Sequence, residues 1–209
     1  MNFLVIGSGA REHIIAQKLF EAGVDVFSVI TNRNPGLISL SKEFLFVDTY
    51  RNNIQKIIDF SLSKYIDCVV IGPEDPLALG FSDSFLSKGI PVVGPTKLLA
   101  QIETSKGFTR DLLVRNEIYV SPRYERFNSI NGVEDFIKDL SDEYVVKYDG
   151  LMGGKGVKVS GEHLMSTQEA ISYCNQLIDL GGSFIVEEKL LGEEFSLMSF
   201  CDGKTVHHM

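Results

Sequence analysis

From Met1 to about Leu99, short apolar segments alternate with amphipathic helical ones. No other property of the chain limits its fold as tightly. Phe3–Ile6, Val24–Ile30, Phe44–Val47, Cys68–Ile71 and Pro91–Val93 read as strands. Between them fall a helix over about Arg11–Ala22, with Ile14, Ile15, Lys18 and Leu19 at helical spacing, and one carrying Ile54, Ile57, Ile58 and Leu62. A third helix is expected over Leu77–Lys88. Pro35-Gly36 predicts a turn. The unbroken apolar run at Cys68–Ile71 suits a strand buried on both faces. Strands and helices that alternate through short links imply a parallel, doubly wound sheet, so the fold class is α/β.

After Glu103 the pattern changes. Ser105–Asn116 reads as one helix, and Pro122 restricts its neighbour. Tyr124–Phe127, Tyr144–Lys147, Val157–Ser160 and Phe184–Glu187 read as strands, with helices near Val133–Leu140 and Thr167–Leu180. The segments EFSLMSF and TVHH, joined at Asp202-Gly203, predict a hairpin. The expected organisation is a Rossmann-like domain over 1–102, a linker helix over 103–121, a small α+β lid over 122–191 and a first hairpin of a further sheet over 192–209.

A net charge of −8 argues against general nucleic-acid binding, which needs a basic face. The apolar fraction of 44% suffices for a packed core, yet no apolar run approaches the length of a membrane span. No secretory signal is legible, and the scattered Cys68, Cys174 and Cys201 read as free thiols of a reducing compartment. A cytoplasmic location is therefore expected. None of the four histidines forms a pair with metal-ligand spacing, and no metal ligand is assigned.

The segment Tyr144–Val157, YVVKYDGLMGGKGV, carries the most chemistry. A β-branched strand delivers Lys147 at its end, and Gly153, Gly154, Lys155 and Gly156 follow. Glycines free to take positive φ can turn backbone N–H groups toward an anion, and a lysine among them adds charge. A hairpin turn alone needs only one or two glycines. Val157 stands where a P-loop requires Ser or Thr, so the expectation is a flap between two strands. Gly7-Ser8-Gly9 opens a helix, as in dinucleotide sites, but Glu12 occupies the third glycine position and the second strand ends in Ile30-Thr31-Asn32 without an acid. This turn can still hold a phosphate or carboxylate with Arg11 beside it, or serve close packing alone. Gly72-Pro73-Glu74-Asp75-Pro76 reads as a loop whose two acids hold hydroxyls or an amine, or as a helix N-cap at Asp75. Thr96 reads as another N-cap. Glu187-Glu188-Lys189-Leu190 and Glu194 read as an exposed acidic turn or as a nucleotide edge.

Together, GSGAREH at 7–13, GPEDPL at 72–77, VGPT at 93–96, ETSKGFTRDLL at 103–113, KYDGLMGGKGV at 147–157 and VEEKLLGEEFSL at 186–197 resemble the glycinamide ribonucleotide synthetase (phosphoribosylamine–glycine ligase) family of ATP-grasp enzymes. The resemblance runs the length of the chain; Tyr148 and Ala10 depart from its commonest form. It implies ATP-dependent ligation of glycine to 5-phosphoribosylamine in purine biosynthesis through a glycyl phosphate. Lys106 and Lys147 would hold ATP phosphates, and Gly153, Gly154, Lys155 and Gly156 would close over them, with Lys147 and Lys155 the catalytic cations. Glu187, Glu188 and Leu190 would frame adenine, Glu194 the ribose, and Gly9, Arg11 and Glu74 the phosphoribosylamine. ATP is expected with Mg²⁺ (or Mn²⁺) whose ligands fall beyond residue 209, which makes the chain an N-terminal half, inactive without the rest. Other ATP-grasp ligases, purine or biotin carboxylases, a nicotinamide-linked dehydrogenase domain and a non-catalytic nucleotide-binding module are the competing readings.

Overall fold

The computed structural model describes residues 1–201 and 204–208, which fall into two compact units. The first comprises Met1–Tyr119 together with Tyr148–Gly156, and the second Val120–Lys147 together with Val157–Met209.

In the first unit the elements run β1 (Asn2–Ile6), α1 (Ala10–Glu21), β2 (Asp25–Ile30), α2 (Pro35–Leu40), β3 (Glu43–Phe46), α3 (Ile54–Ser63) and β4 (Cys68–Ile71). They continue with α4 (Glu74–Ala78), α5 (Phe81–Leu86), β5 (Val92–Val93), α6 (Lys97–Thr104) and α7 (Lys106–Arg115). The five strands form one sheet in the order β3-β2-β1-β4-β5, every neighbouring pair parallel. Successive side chains of a strand point to opposite faces, and β1 supplies both cores. Leu4 and Ile6 join Val29, Ile57, Val69, Phe81 and Phe85 on one side, while Val5 packs with Ala16, Ile30 and Leu37 on the other. Helices on both faces explain why β1, β2 and β4 are buried and apolar along most of their length.

Three local expectations fail here. Pro35-Gly36 opens α2 instead of making a turn, because Asn34 Oδ1 accepts the Leu37 N–H at 3.2 Å and proline suits the first helical position. The helix expected over Leu77–Lys88 is two helices, split at Gly80, whose φ of +83° leaves the helical region. Glu74 and Asp75 sit in the first turn of α4 and not in a loop, and the N-cap is Pro73. Thr96 does cap a helix, α6, its hydroxyl oxygen accepting from Leu99 N at 3.5 Å.

The second unit holds β6 (Tyr124–Phe127), α8 (Val133–Asp139), β7 (Tyr144–Tyr148), β8 (Val157–Val159), α9 (Thr167–Asp179) and β9 (Phe184–Glu188). Its sheet runs β6-β9-β7-β8, with β6–β9 and β7–β8 antiparallel. Phe127 stacks on Phe184 at 5.6 Å, and Ile137 of α8 and Cys174 and Leu177 of α9 are buried. A separate antiparallel pair, β10 (Ser199–Cys201) and β11 (Val206–His208), realises the predicted hairpin only in part. Phe195–Met198 are not strand; these residues are exposed and have no core to set a period-2 pattern against. The Asp202-Gly203 turn and the side chain of Cys201 lie outside the described residues.

Burial pushes the Cys174 thiol up to about 12. Its protonated form is favoured in the folded state, so the stability this lends persists below the ordinary value of 9.0 and is lost as pH climbs toward 12. The thiolate is the reactive form. Iodoacetamide at pH 8 is expected to leave Cys174 unmodified in native protein and to alkylate it once urea unfolds the chain. Peptide mass mapping checks this, and rapid native labelling would show that α9 opens readily.

Candidate functional site

In the first unit the strand order changes direction between β1 and β4, which are hydrogen-bonded neighbours. Ligands of open α/β sheets bind beyond the carboxyl ends of strands at such a point. The turn after β1 carries Gly7-Ser8-Gly9, and the one after β4 carries Gly72-Pro73. Glu12 joins them. Its carboxylate is 4% exposed, accepts the Gly9 N–H at 2.7 Å and accepts Arg11 Nε at 3.2 Å. Arg11 Nη2 reaches Glu74 Oε1 at 3.3 Å, so Gly9, Arg11 and Glu74 are linked through Glu12 and this ion pair. The bond to Glu12, opposed by partial desolvation and helped by Glu74, holds the Arg11 guanidinium above its ordinary value.

Glu12 also explains the missing third glycine of the dinucleotide pattern. Its side chain fills the space against the two turns. A Cβ built on Gly72 would lie 2.1 Å from Glu12 Oε1, and one on Gly7 would lie 2.4 Å from its Cγ. The sequence shows only an acid where a glycine is usual; that it needs glycines at 7 and 72 is a tertiary fact.

A cavity of about 760 Å³ opens in the same unit. Thr31, Asn32, Asp48, Tyr50, Arg51 and Asp75 line much of it, none of them assigned from sequence except Asp75. Gly9, Arg11 and Glu74 are not among its lining residues. Ser8 Oγ accepts the N–H groups of Thr31 at 2.8 Å and Asn32 at 3.2 Å, which ties the end of β2 to the glycine turn. Burial pushes the Tyr50 phenol up, with the Thr31 and Ser8 hydroxyls pulling against it. The hint in the sequence was that Thr31-Asn32 and Asp48–Asn52 follow strands, at the carboxyl end of the sheet.

The glycine flap belongs to this unit as well. Tyr148 N donates to Gly156 O at 2.8 Å, and Lys155 N donates to Met152 O at 3.0 Å. Gly153 and Gly154 take φ of +55° and +78°, the left-handed region that favours glycine. Lys155 is exposed. Lys106, at the start of α7, donates from Nζ to Gly150 O at 3.1 Å.

In the second unit, Lys147 at the end of β7 forms an ion pair with Glu187 of β9. The Glu187 side chain is 4% exposed and that of Lys147 25%. Glu188 pairs with the backbone of Arg123, its Oε2 accepting the N–H at 3.2 Å. Leu190 and Glu194 are exposed and follow β9 in irregular chain.

Family models account for the whole chain. Residues 1–103 match the phosphoribosylglycinamide synthetase N domain, and residues 104–209 match the phosphoribosylglycinamide synthetase ATP-grasp (A) domain. The chain belongs to the phosphoribosylglycinamide synthetase family. A phosphoribosylamine–glycine ligase of Methanococcus maripaludis strain C5 is 43% identical, aligned over 100% of this chain and 48% of its own length. This phosphoribosylglycinamide synthetase family chain thus spans about half the length of the curated relatives it matches. Among solved structures, the phosphoribosylamine–glycine ligase of Thermotoga maritima superposes with a TM-score of 0.74 at 24% identity, over 100% of this chain and 49% of that one. The biotin carboxylase domain of Hydrogenobacter thermophilus 2-oxoglutarate carboxylase, solved with MgADP, gives a TM-score of 0.65 at 16% identity, over 90% and 44%. At these identities the two structures show a shared fold. Among the described residues, no helix is long and apolar enough to cross a membrane.

Proposed function

We propose that the protein containing this chain joins glycine to 5-phosphoribosylamine, converting ATP to ADP and phosphate, in the cytoplasm. The observation that carries this reading is the match of both family domains, end to end, to a chain 43% identical to a phosphoribosylamine–glycine ligase. In this reaction the glycine carboxylate takes the γ-phosphoryl group from ATP. The amine of phosphoribosylamine then attacks the resulting acyl phosphate, the amide bond forms and phosphate leaves.

Phosphoryl transfer of this kind depends on positioning and charge neutralisation more than on a nucleophilic side chain. Lys106, Lys147 and Lys155 supply that charge in this reading, with Gly153, Gly154 and Gly156 giving the flap its backbone freedom. The left-handed glycines support a flap able to bring N–H groups to a polyphosphate. Glu187, Glu188 and Leu190 are assigned to adenine and Glu194 to ribose. Gly9, Arg11 and Glu74 are assigned to phosphoribosylamine, and their meeting beyond the carboxyl ends of β1 and β4 favours that. Mg²⁺ (or Mn²⁺) would offset the charge that develops on the phosphates.

The test is an assay of the full-length protein with ATP and Mg²⁺. ADP release is expected only when glycine and phosphoribosylamine are both present. Turnover that persists with bicarbonate in place of glycine would overturn the assignment in favour of a carboxylase.

A further inference from the structure

One carboxylate at the root of the flap has a set of partners that its local sequence does not explain. Asp149 stands between β7 and the glycines, where an Asp-Gly pair ordinarily makes a turn. Its Oδ1 instead accepts from Oγ of Ser105, the N-cap of α7, at 3.0 Å and from Gly107 N in the first turn of that helix at 3.1 Å. Helix α7 already has a local cap, since Ser105 Oγ accepts from Phe108 N at 3.1 Å. Asp149 is therefore a second, long-range cap. The next residue adds a third bond, Lys106 Nζ to Gly150 O at 3.1 Å. Two consecutive residues at the flap root thus grip the N-cap Ser105 and the first two residues of α7, Lys106 and Gly107. Beyond this point Gly153 and Gly154 are exposed, and a Cβ on either would meet nothing within 4 Å, whereas Gly156 is buried against Met152 and Tyr148. Tyr148, Gly150 and Leu151, together with Thr104 beside the grip, also line the 760 Å³ cavity.

We propose that Asp149 is a positioning residue, which pins the root of the glycine flap to the start of α7 and so sets where Lys106 presents its charge. This rests on the reading of Lys106 and the flap as nucleotide-binding parts. A carboxylate accepting from a helix N-terminus is favoured by the partial positive charge there, so the grip holds without a bound anion. It spares a bound nucleotide part of the entropic cost of ordering the flap, because the loop's origin is fixed beforehand. Asn at 149 keeps the acceptor oxygen, whereas Ala removes it.

The experiment compares wild type, Asp149→Ala, Asp149→Asn and Ser105→Ala in the full-length protein. It uses amide hydrogen exchange at Gly107 and residues 151–156, and calorimetric titration with the non-hydrolysable ATP analogue AMP-PNP. In Asp149→Ala, exchange at both places is expected to rise about tenfold and analogue affinity to fall about tenfold, as for loss of charge-assisted bonds. Asp149→Asn stays within about threefold of wild type in both, and Ser105→Ala shifts both in the same direction by about threefold, which keeps the test open should Asp149→Ala fold poorly. Unchanged flap exchange, or faster exchange with unchanged affinity of the folded protein, overturns the proposal. A purely structural role gives the second pattern with a lowered urea midpoint. Wild type that fails to bind AMP-PNP overturns the functional reading instead, and the exchange comparison still decides whether Asp149 anchors the flap.

Discussion

Replacing Lys147 with alanine is expected to lower stability by about 3 kcal/mol, while Lys155→Ala changes it by no more than about 0.5 kcal/mol. Both lysines carry the same charge and belong to the same glycine-rich segment, yet their surroundings differ. Lys147 leaves β7 and pairs with Glu187, whose side chain is 4% exposed on β9. Removing the ammonium strips a buried carboxylate of this partner, a change that typically costs about 3–5 kcal/mol. The 25% exposure of Lys147 places the expectation at the lower end, because solvent screens part of the interaction. Lys155 is exposed on the flap and has no such debt. The measurement is the urea midpoint of each variant, with Lys147→Met/Glu187→Leu as the informative control. Removing both charges together is expected to recover most of the loss, since an apolar pair of similar size is tolerated where a broken ion pair is not. Equal midpoints for the two alanine variants would show that the pair contributes little. The result also bears on nucleotide binding, because a loss of ATP affinity in Lys147→Ala must be corrected for unfolded protein before it is ascribed to a lost phosphate contact.

Gly72→Ala is expected to destabilise the first unit by about 2–3 kcal/mol, the size of an overpacked site. The added Cβ would fall 2.1 Å from Glu12 Oε1 and 2.4 Å from its Cγ. A free glutamate could swing aside, but this one is buried and holds the Gly9 N–H and Arg11 Nε. The physical claim is therefore a coupling. In a Glu12→Ala background, which itself loses those bonds, Gly72→Ala is expected to cost less than about 1 kcal/mol, because the space it needs has been vacated. Gly7→Ala should not be rescued in the same way. Its φ of +135° disfavours any side chain, and its Cβ would also meet Pro73 Cδ at 2.9 Å. Thermal and urea unfolding of the singles and doubles measure both statements. Additive losses for Gly72→Ala and Glu12→Ala would mean that the turn relaxes around the new methyl.

These two sites illustrate what can be read locally and what cannot. The strand–helix alternation of residues 1–99 was legible, since periods of 2 and 3.6 are properties of neighbouring residues. It led directly to a parallel, doubly wound sheet. The glycine flap between two strands was legible for the same reason. The motif order was legible as a family resemblance, which the matching family models bear out. Pro35-Gly36 misled because proline opens helices as well as turns, and the Leu77–Lys88 expectation ran a helix through Gly80, whose positive φ ends one helix and begins another.

The sequence by itself determined the strands of the first sheet, most of the longer helices, the family and the glycine-rich segments. Only the tertiary structure decided which of those residues meet. Arg11 and Glu74 are 63 positions apart, and Ser105 and Asp149 are 44 apart. Their meeting depends on the strand order β3-β2-β1-β4-β5 and on the chain returning at the flap to α7. Glu12 and Asp149 read as an exception and a turn residue until that return is known. A carboxylate takes its role from the groups that surround it: the turn at Gly72 that walls in Glu12, and Ser105 and Gly107 that donate to Asp149, come from distant parts of the chain.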